Sequence, residues 1–160
     1  MFAGKTTALN DKFHELKQTK RVMILDYDTS KSNTMFQSTL YSHDNVEIPC
    51  IKLTQLSIDY IYYDCILINE AQFFNGLVDF VKKALLDKKI IYVYGLDGDF
   101  KQQKFGEILD LIPLCDTYVK LYAKCSCGNK ASFSKRNSTN QTQFLPNDTY
   151  VPVCRYCYTV

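Results

Sequence analysis

Long apolar runs are missing from this chain. Stretches such as residues 66–68 and 90–93 fall far short of the ~20 residues that a membrane-spanning helix needs. The N-terminus lacks the charged-then-apolar pattern of a secretory signal, so the expected compartment is reducing and cytoplasmic, with no membrane partner. There is no internal repeat and no low-complexity tract, which leaves neither a solenoid nor a disordered tail to explain. A strong excess of one charge is also absent: the net charge is +2, with 22% charged and 46% hydrophobic residues, ordinary values for a globular protein. The 160 residues suffice for one sizeable core, or a core with a small appendage.

The charge that is present is unevenly placed. Residues 124–160 hold five basic side chains (Lys124, Lys130, Lys135, Arg136, Arg155) against one acid, Asp148, and the remainder holds 14 basic and 16 acidic residues. Such a segment suits either a solvated face or a phosphate-bearing partner. The seven cysteines make an odd count, and a disulfide framework does not fit a reducing compartment. Cys50, Cys65 and Cys115 sit among apolar residues and read as small buried hydrophobes. The other four form two close pairs near the C-terminus.

Apolar periodicity gives the architecture. Leu9, Phe13 and Leu16 make a helical stripe within residues 6–20, and a short apolar run at 21–26 reads as a buried strand. The polar stretch 27–47 reads as a loop of about twenty residues, a length usually tied to function or disorder. Apolar runs at 50–53, 65–69 and 90–95 read as further strands, with a helical pattern at 77–85 between the last two. Residues 118–122 read as one more strand. This alternation predicts an α/β fold: a parallel sheet flanked by helices. After Lys124 the pattern breaks into short polar segments with Cys, Gly, Asn and Pro. The expected division is therefore an α/β domain at 1–123 and a second, smaller unit at 124–160.

Three motifs carry chemistry. Gly4-Lys5-Thr6, directly before the first helix, matches the second half of a P-loop. In that motif backbone amides and the helix N-terminus face phosphates, the lysine offsets β/γ charge, and the Thr hydroxyl reaches Mg²⁺. The first glycine of the motif and the strand that delivers it would precede Met1. Residues 65–74 read Cys-Ile-Leu-Ile-Asn-Glu-Ala-Gln-Phe-Phe, a hydrophobic strand ending in an acid. Such a strand end places a carboxylate beside Mg²⁺ or a nucleophile, although Asn69 and Glu70 alone also fit a helix start. Finally, Cys125-Ser126-Cys127 and Cys154-Arg155-Tyr156-Cys157 offer four thiolates on two tight turns. That set suits a closed structural Zn²⁺ site, despite a first pair one residue shorter than the usual knuckle.

Taken in order with Leu96-Asp97-Gly98-Asp99-Phe100, Lys104-Phe105-Gly106 and Val119-Lys120-Leu121, these motifs resemble the thymidine kinases of animal cells, many bacteria and large DNA viruses. The likeness covers essentially all of residues 1–158. It implies ATP-dependent phosphorylation of the thymidine 5′-hydroxyl, with Glu70 as general base. It places ATP and Mg²⁺ against Met1, Phe2, Ala3, Gly4, Lys5, Thr6, Asp28, Asn69 and Gln72. Phe73, Leu96, Phe100, Phe105, Ser134 and Tyr150 would surround the nucleoside. A lasso-like loop at about 141–148, including Gln143, Phe144 and Leu145, would close over it. Cys125, Cys127, Cys154 and Cys157 would anchor that loop through Zn²⁺, and the assembly would be a homotetramer without nucleic-acid partners.

Four departures accompany the resemblance. The first strand and half the P-loop are missing. Asn69 replaces the usual Asp, Ser30 replaces the Arg of an Asp-Thr-Arg loop, and Leu145-Pro146 stand where the lasso carries glycines. These departures keep open a catalytically impaired relative that binds nucleoside or nucleotide without efficient turnover, and a substrate range wider than thymidine. A zinc-ribbon nucleic-acid binder would require aromatics interleaved with dense Lys/Arg on one surface, and the basic residues here are too sparse.

Overall fold

Strand β4 (Cys65–Asn69) is buried at every position, which explains its continuous apolar run: a central parallel strand is covered on both faces. The structure, a computed structural model, describes residues 2–30, 35–41 and 47–159. Helix α1 (Lys5–Leu16) turns Leu9 and Leu16 inward onto Ile24, Cys65 and Leu67, with Phe13 at the margin. Strand β1 (Val22–Tyr27) follows, then β2 (Phe36–Tyr41) and β3 (Glu47–Leu53). Beyond β4 come a 3₁₀ turn at Ala71–Phe73, helix α2 (Leu77–Leu86) and β5 (Ile90–Val93).

The sheet order is β2-β3-β1-β4-β5. Pairs β1–β3, β1–β4 and β4–β5 are parallel, and β2 runs antiparallel on β3. Helix α1 covers one face, and α2 covers the other through Leu77, Phe80, Val81 and Ala84. Each buried Leu, Ile or Phe contributes roughly 1.5–3 kcal/mol to this arrangement. The result is the expected α/β sheet flanked by helices, mixed rather than wholly parallel. Because four strands are parallel, their carboxyl ends share one edge, where α/β sheets bind ligands. Asp26, Asp28 and Glu70 lie at or just past those ends.

Small paired strands make up the C-terminal part. Strand β6 (Ala123–Lys124) pairs with β7 (Lys130–Ala131), and β8 (Phe133–Arg136) pairs with β9 (Tyr150–Val153). Helix α3 (Arg155–Thr159) closes the chain. Among the described residues no helix is long and apolar enough to cross a membrane.

Three expectations are corrected. The polar stretch 27–47 is not a single loop, because it contains β2. Its sequence Phe-Gln-Ser-Thr-Leu-Tyr buries no residue fully, so the edge strand shows little of the apolar pattern used to find strands. Residues 118–122 form no strand. Tyr118, Val119 and Tyr122 are exposed, and strand propensity yields a strand only where a ladder partner is available. Cys115 is exposed, whereas Cys50 and Cys65 are buried as expected. Its Sγ lies 3.1 Å from the Ile112 carbonyl oxygen, at the end of a 3₁₀ segment, Ile108–Leu114, with Ile112 and Leu114 themselves exposed.

Candidate active site

Glu70 follows the last residue of β4 and adopts φ 49°, ψ 39°, a left-handed conformation uncommon for a residue with a side chain. Strain of this kind persists only where neighbours over-determine it. Here the Ala71 amide donates to the Tyr94 carbonyl at 3.0 Å. The buried Gln72 donates from Nε2 to Glu70 Oε2 at 2.7 Å and accepts the Leu96 amide at Oε1 at 3.0 Å. One amide side chain thus fixes both the carboxylate and the segment after β5. Glu70 Oε1 carries no hydrogen bond among the described residues.

Gly106 is part of the same lock. At φ +61°, a Cβ there would lie 2.1 Å from the Gln72 carbonyl oxygen, a contact with rigid backbone. Gly106→Ala is therefore expected to cost about 3 kcal/mol or more, lowering Tm by about 6 °C or more in a chain of this size, as a thermal melt will show.

Beside Glu70, the parallel register of β1 and β4 sets Asp26 opposite Asn69. Asn69 donates from Nδ2 to Asp26 Oδ1 at 2.8 Å, and Lys52 Nζ lies 3.5 Å from Asp26 Oδ2. Burial pushes the Asp26 carboxyl above its usual range, opposed by the Asn69 hydrogen bond and the Lys52 charge. Asp28, also buried, accepts the Ser30 amide at 3.0 Å and the Ser30 hydroxyl at 2.7 Å. Helix α1 starts at Gly4, whose φ of 79° opens the cap with no side-chain hydrogen bond. Its first internal bond runs from the Ala8 amide to the Gly4 carbonyl, so the amides of Lys5, Thr6 and Thr7 precede it, as at any open helix N-terminus. Lys5 makes no ion pair among the described residues. Mg²⁺ takes oxygen ligands and retains water. The acids near the carboxyl edge, the Thr6 hydroxyl and the buried, unpartnered Asn69 Oδ1 are oxygen donors of the right chemistry for it.

An enclosed pocket is lined by Leu96, Gly98, Asp99, Phe100, Phe105, Ser134, Gln143, Phe144 and Tyr150. Phe73 reaches its wall, with its ring centroid 5.3 Å from Phe105 and 4.7 Å from Phe144. Phe144 and Tyr150 lie nearly parallel, at 11°. Gln143 donates to Asp99 Oδ2 at 3.1 Å, and the Leu145 amide donates to the Tyr150 hydroxyl at 3.0 Å. A wider groove beside Thr54, Tyr60, Asp79 and Lys83 holds none of the residues singled out by sequence. The chemistry therefore points to the enclosed pocket.

Arg136 organises the loop that covers this pocket. Nearly buried, it donates to the carbonyls of Asn140, Thr142 and Gln143 and to the Tyr150 hydroxyl. It pairs with Asp148 at 3.1 Å and stacks on Phe100 at 4.0 Å. Removing one member of a buried pair costs about 3 kcal/mol. Arg136→Met is expected to lower stability by that order in denaturant titration and to speed deuterium exchange across residues 137–149.

The four C-terminal cysteines converge: Cys125, Cys127, Cys154 and Cys157 have ligand atoms within 4.8 Å of one another. The Cys127–Cys154 sulfur separation is 3.6 Å, against about 3.8 Å between thiolates on a tetrahedral Zn²⁺ with ~2.3 Å bonds. The short Cys-x-Cys turn works because Gly128 takes φ +90°, letting its amide bond to the Cys125 carbonyl and the Cys125 amide bond to the Asn129 carbonyl. Backbone amides of Cys127 and Cys154 pull the Cys125 thiol down to about 6, while the neighbouring sulfurs push Cys157 up to about 12. Ionising all four together needs a central cation, so the set fits structural zinc.

The thymidine kinase family model matches residues 1–158. A rice (Oryza sativa subsp. japonica) thymidine kinase is 41% identical over 99% of this chain and 63% of its own length. The chain belongs to the thymidine kinase family. Arabidopsis thaliana thymidine kinase a is 38% identical over 99% of this chain and 71% of its own length. For the monkeypox virus thymidine kinase the values are 36%, 99% and 92%. The chain thus spans 63% of the rice relative's length.

Seven residues that the family resemblance assigned to the nucleoside line one pocket, and Phe73 touches two of them. Leu145 belongs to the covering loop and points its amide at Tyr150. Phe2 is exposed, Ala3 is half-buried beside Gly4, and Met1 lies outside the described residues. Gln72, assigned to ATP and Mg²⁺, is a buried bridge between Glu70 and Leu96. Sequence reasoning missed Asp26 and the role of Arg136. A charged residue ending the apolar run 22–26 and another ending the Phe-Ser-Lys-Arg stretch of β8 were the available signals.

Proposed function

We propose that the chain transfers the γ-phosphoryl group of ATP to the 5′-hydroxyl of thymidine. The observation that carries this is Glu70: a carboxylate held in strained backbone at the end of a buried strand, three residues from the Phe73 ring that walls an aromatic pocket. With Oε2 occupied by Gln72, Oε1 receives the proton of the 5′-hydroxyl as its oxygen bonds to phosphorus and ADP leaves. Phe73, Phe105, Phe144 and Tyr150 exclude water and hold a planar base by its faces. Backbone groups of Gln143, Phe144 and Leu145 read its edge. The N-terminal amides of α1, with Lys5, receive phosphate oxygens. Mg-ATP supplies the phosphoryl group and a cation that offsets its charge. Such transfers ask the protein mainly for positioning and charge stabilisation. Cys125, Cys127, Cys154 and Cys157 would hold Zn²⁺ and fix both ends of the covering loop, and a homotetramer completes the proposal.

The competing reading, binding without efficient turnover, rests on Asn69, which cannot carry the charge of the Asp usual at that position. Thymidine-dependent ADP release by the purified chain separates the two, with deoxycytidine defining substrate range. Binding of thymidine with no ADP release favours the impaired relative.

A further inference from the structure

We propose that Asp26 and Asn69 act as one divided acidic group, in which Asp26 on β1 supplies the charge and Asn69 on β4 presents the oxygen that faces the metal–nucleotide. This rests on the kinase reading above. An ionised carboxylate only accepts hydrogen bonds, so the 2.8 Å contact to Asp26 Oδ1 must come from Asn69 Nδ2. That contact fixes the orientation of the amide and turns Asn69 Oδ1 away from Asp26. Asn69 is 4% exposed, yet this oxygen has no protein partner. Buried acceptors are rarely left unpaired, and an exception calls for a water or an ion. It lies at the carboxyl edge of the sheet, one residue before Glu70, where a phosphate-transferring α/β protein needs negative charge near its cation. Asn69 cannot carry that charge. Asp26, its register partner and itself 4% exposed, can. Lys52, at 3.5 Å from the other Asp26 oxygen, balances the carboxylate and leaves its Oδ1 to polarise the amide. Asp26 is thus a positioning residue acting through Asn69.

The test is binding of Mn²⁺ with ATP, measured by electron paramagnetic resonance, alongside thymidine affinity and Tm. Asp26→Asn should weaken Mn²⁺–ATP binding by about tenfold to a hundredfold, the usual effect of losing a ligand's supporting partner, with thymidine affinity unchanged. The exchanged pair, D26N/N69D, should return to within about threefold of the parent, because the charge has only moved across the same hydrogen bond. A purely structural Asp26 would show Tm loss without this rescue. If Asp26→Asn does not fold, Asn69→Ala should give the same weakening while leaving the Asp26–Lys52 pair in place. Unchanged Mn²⁺–ATP affinity in the folded single variant, or an exchange that fails to restore it, overturns the inference alone. A parent chain that binds no Mn²⁺–ATP overturns the kinase reading and this inference with it.

Discussion

Replacing Glu70 with Gln should reduce thymidine-dependent ADP release by about a hundredfold to ten-thousandfold, equivalent to roughly 3–5 kcal/mol on the barrier, with thymidine affinity almost unchanged. Glutamine keeps the shape and can still accept the Gln72 hydrogen bond, so the strained turn after β4 retains its support. It cannot take a proton from the attacking hydroxyl. The loss should therefore fall on kcat, the mark of an interaction made in the transition state. A comparable fall in thymidine affinity would show that Glu70 instead holds the pocket together, since it sits three residues before the Phe73 ring that touches Phe105 and Phe144.

The second large effect concerns the cysteines. Stripping zinc with a chelator, or substituting Cys154→Ser, should release about one zinc per chain and abolish measurable thymidine binding. The reason is mechanical. Cys154 follows β9 directly, β9 pairs with β8 from Phe133 to Arg136, and residues 137–149 connect the two strands above the pocket. The small core there consists of Cys125, Ala131, Val153 and Cys154, with Phe133 and Tyr158 packed against it. So few apolar groups need a metal or a disulfide to hold a fold. Tyr158 also donates to the Phe100 carbonyl at 2.8 Å, tying the cysteine segment to the pocket wall. Zinc quantitation before and after treatment, with thymidine titration of both samples, checks this. Retained affinity in the zinc-free chain would mean that the loop is held without the metal by Arg136, by Lys101, whose Nζ donates to the Gln141 carbonyl at 2.8 Å, and by the Gln143–Asp99 hydrogen bond.

Much of this was legible in the sequence where one force dominates. Residues 65–69 read as a buried strand because burial on both faces leaves no polar position before Asn69. Residues 77–85 read as a helix because only one face is covered. The cysteine pairs were legible because metal ligation constrains spacing. Edge strand β2 escaped notice because its side chains are half exposed and its pairing with β3 is supplied by backbone. Residues 118–122 misled in the opposite direction, since apolar alternation cannot say whether a ladder partner exists.

The site was less legible where function depends on pairs distant in sequence. Asp26 and Asn69 are 43 positions apart and meet only through strand order. Arg136 looks like one more surface cation until the loop it gathers, residues 140–150, is folded around it. Gly106 announces nothing by itself, and its requirement appears only when the Gln72 carbonyl is placed against it. Motifs recorded which residue types the chemistry needs, while register and close packing decided which partners position them.

Following γ-labelled phosphate from ATP through the zinc-loaded chain tests phosphoryl transfer to the nucleoside. Label is expected in thymidine 5′-monophosphate, dependent on thymidine and absent with Glu70→Gln. Label appearing only as inorganic phosphate, or remaining in ATP while thymidine is bound, would contradict it.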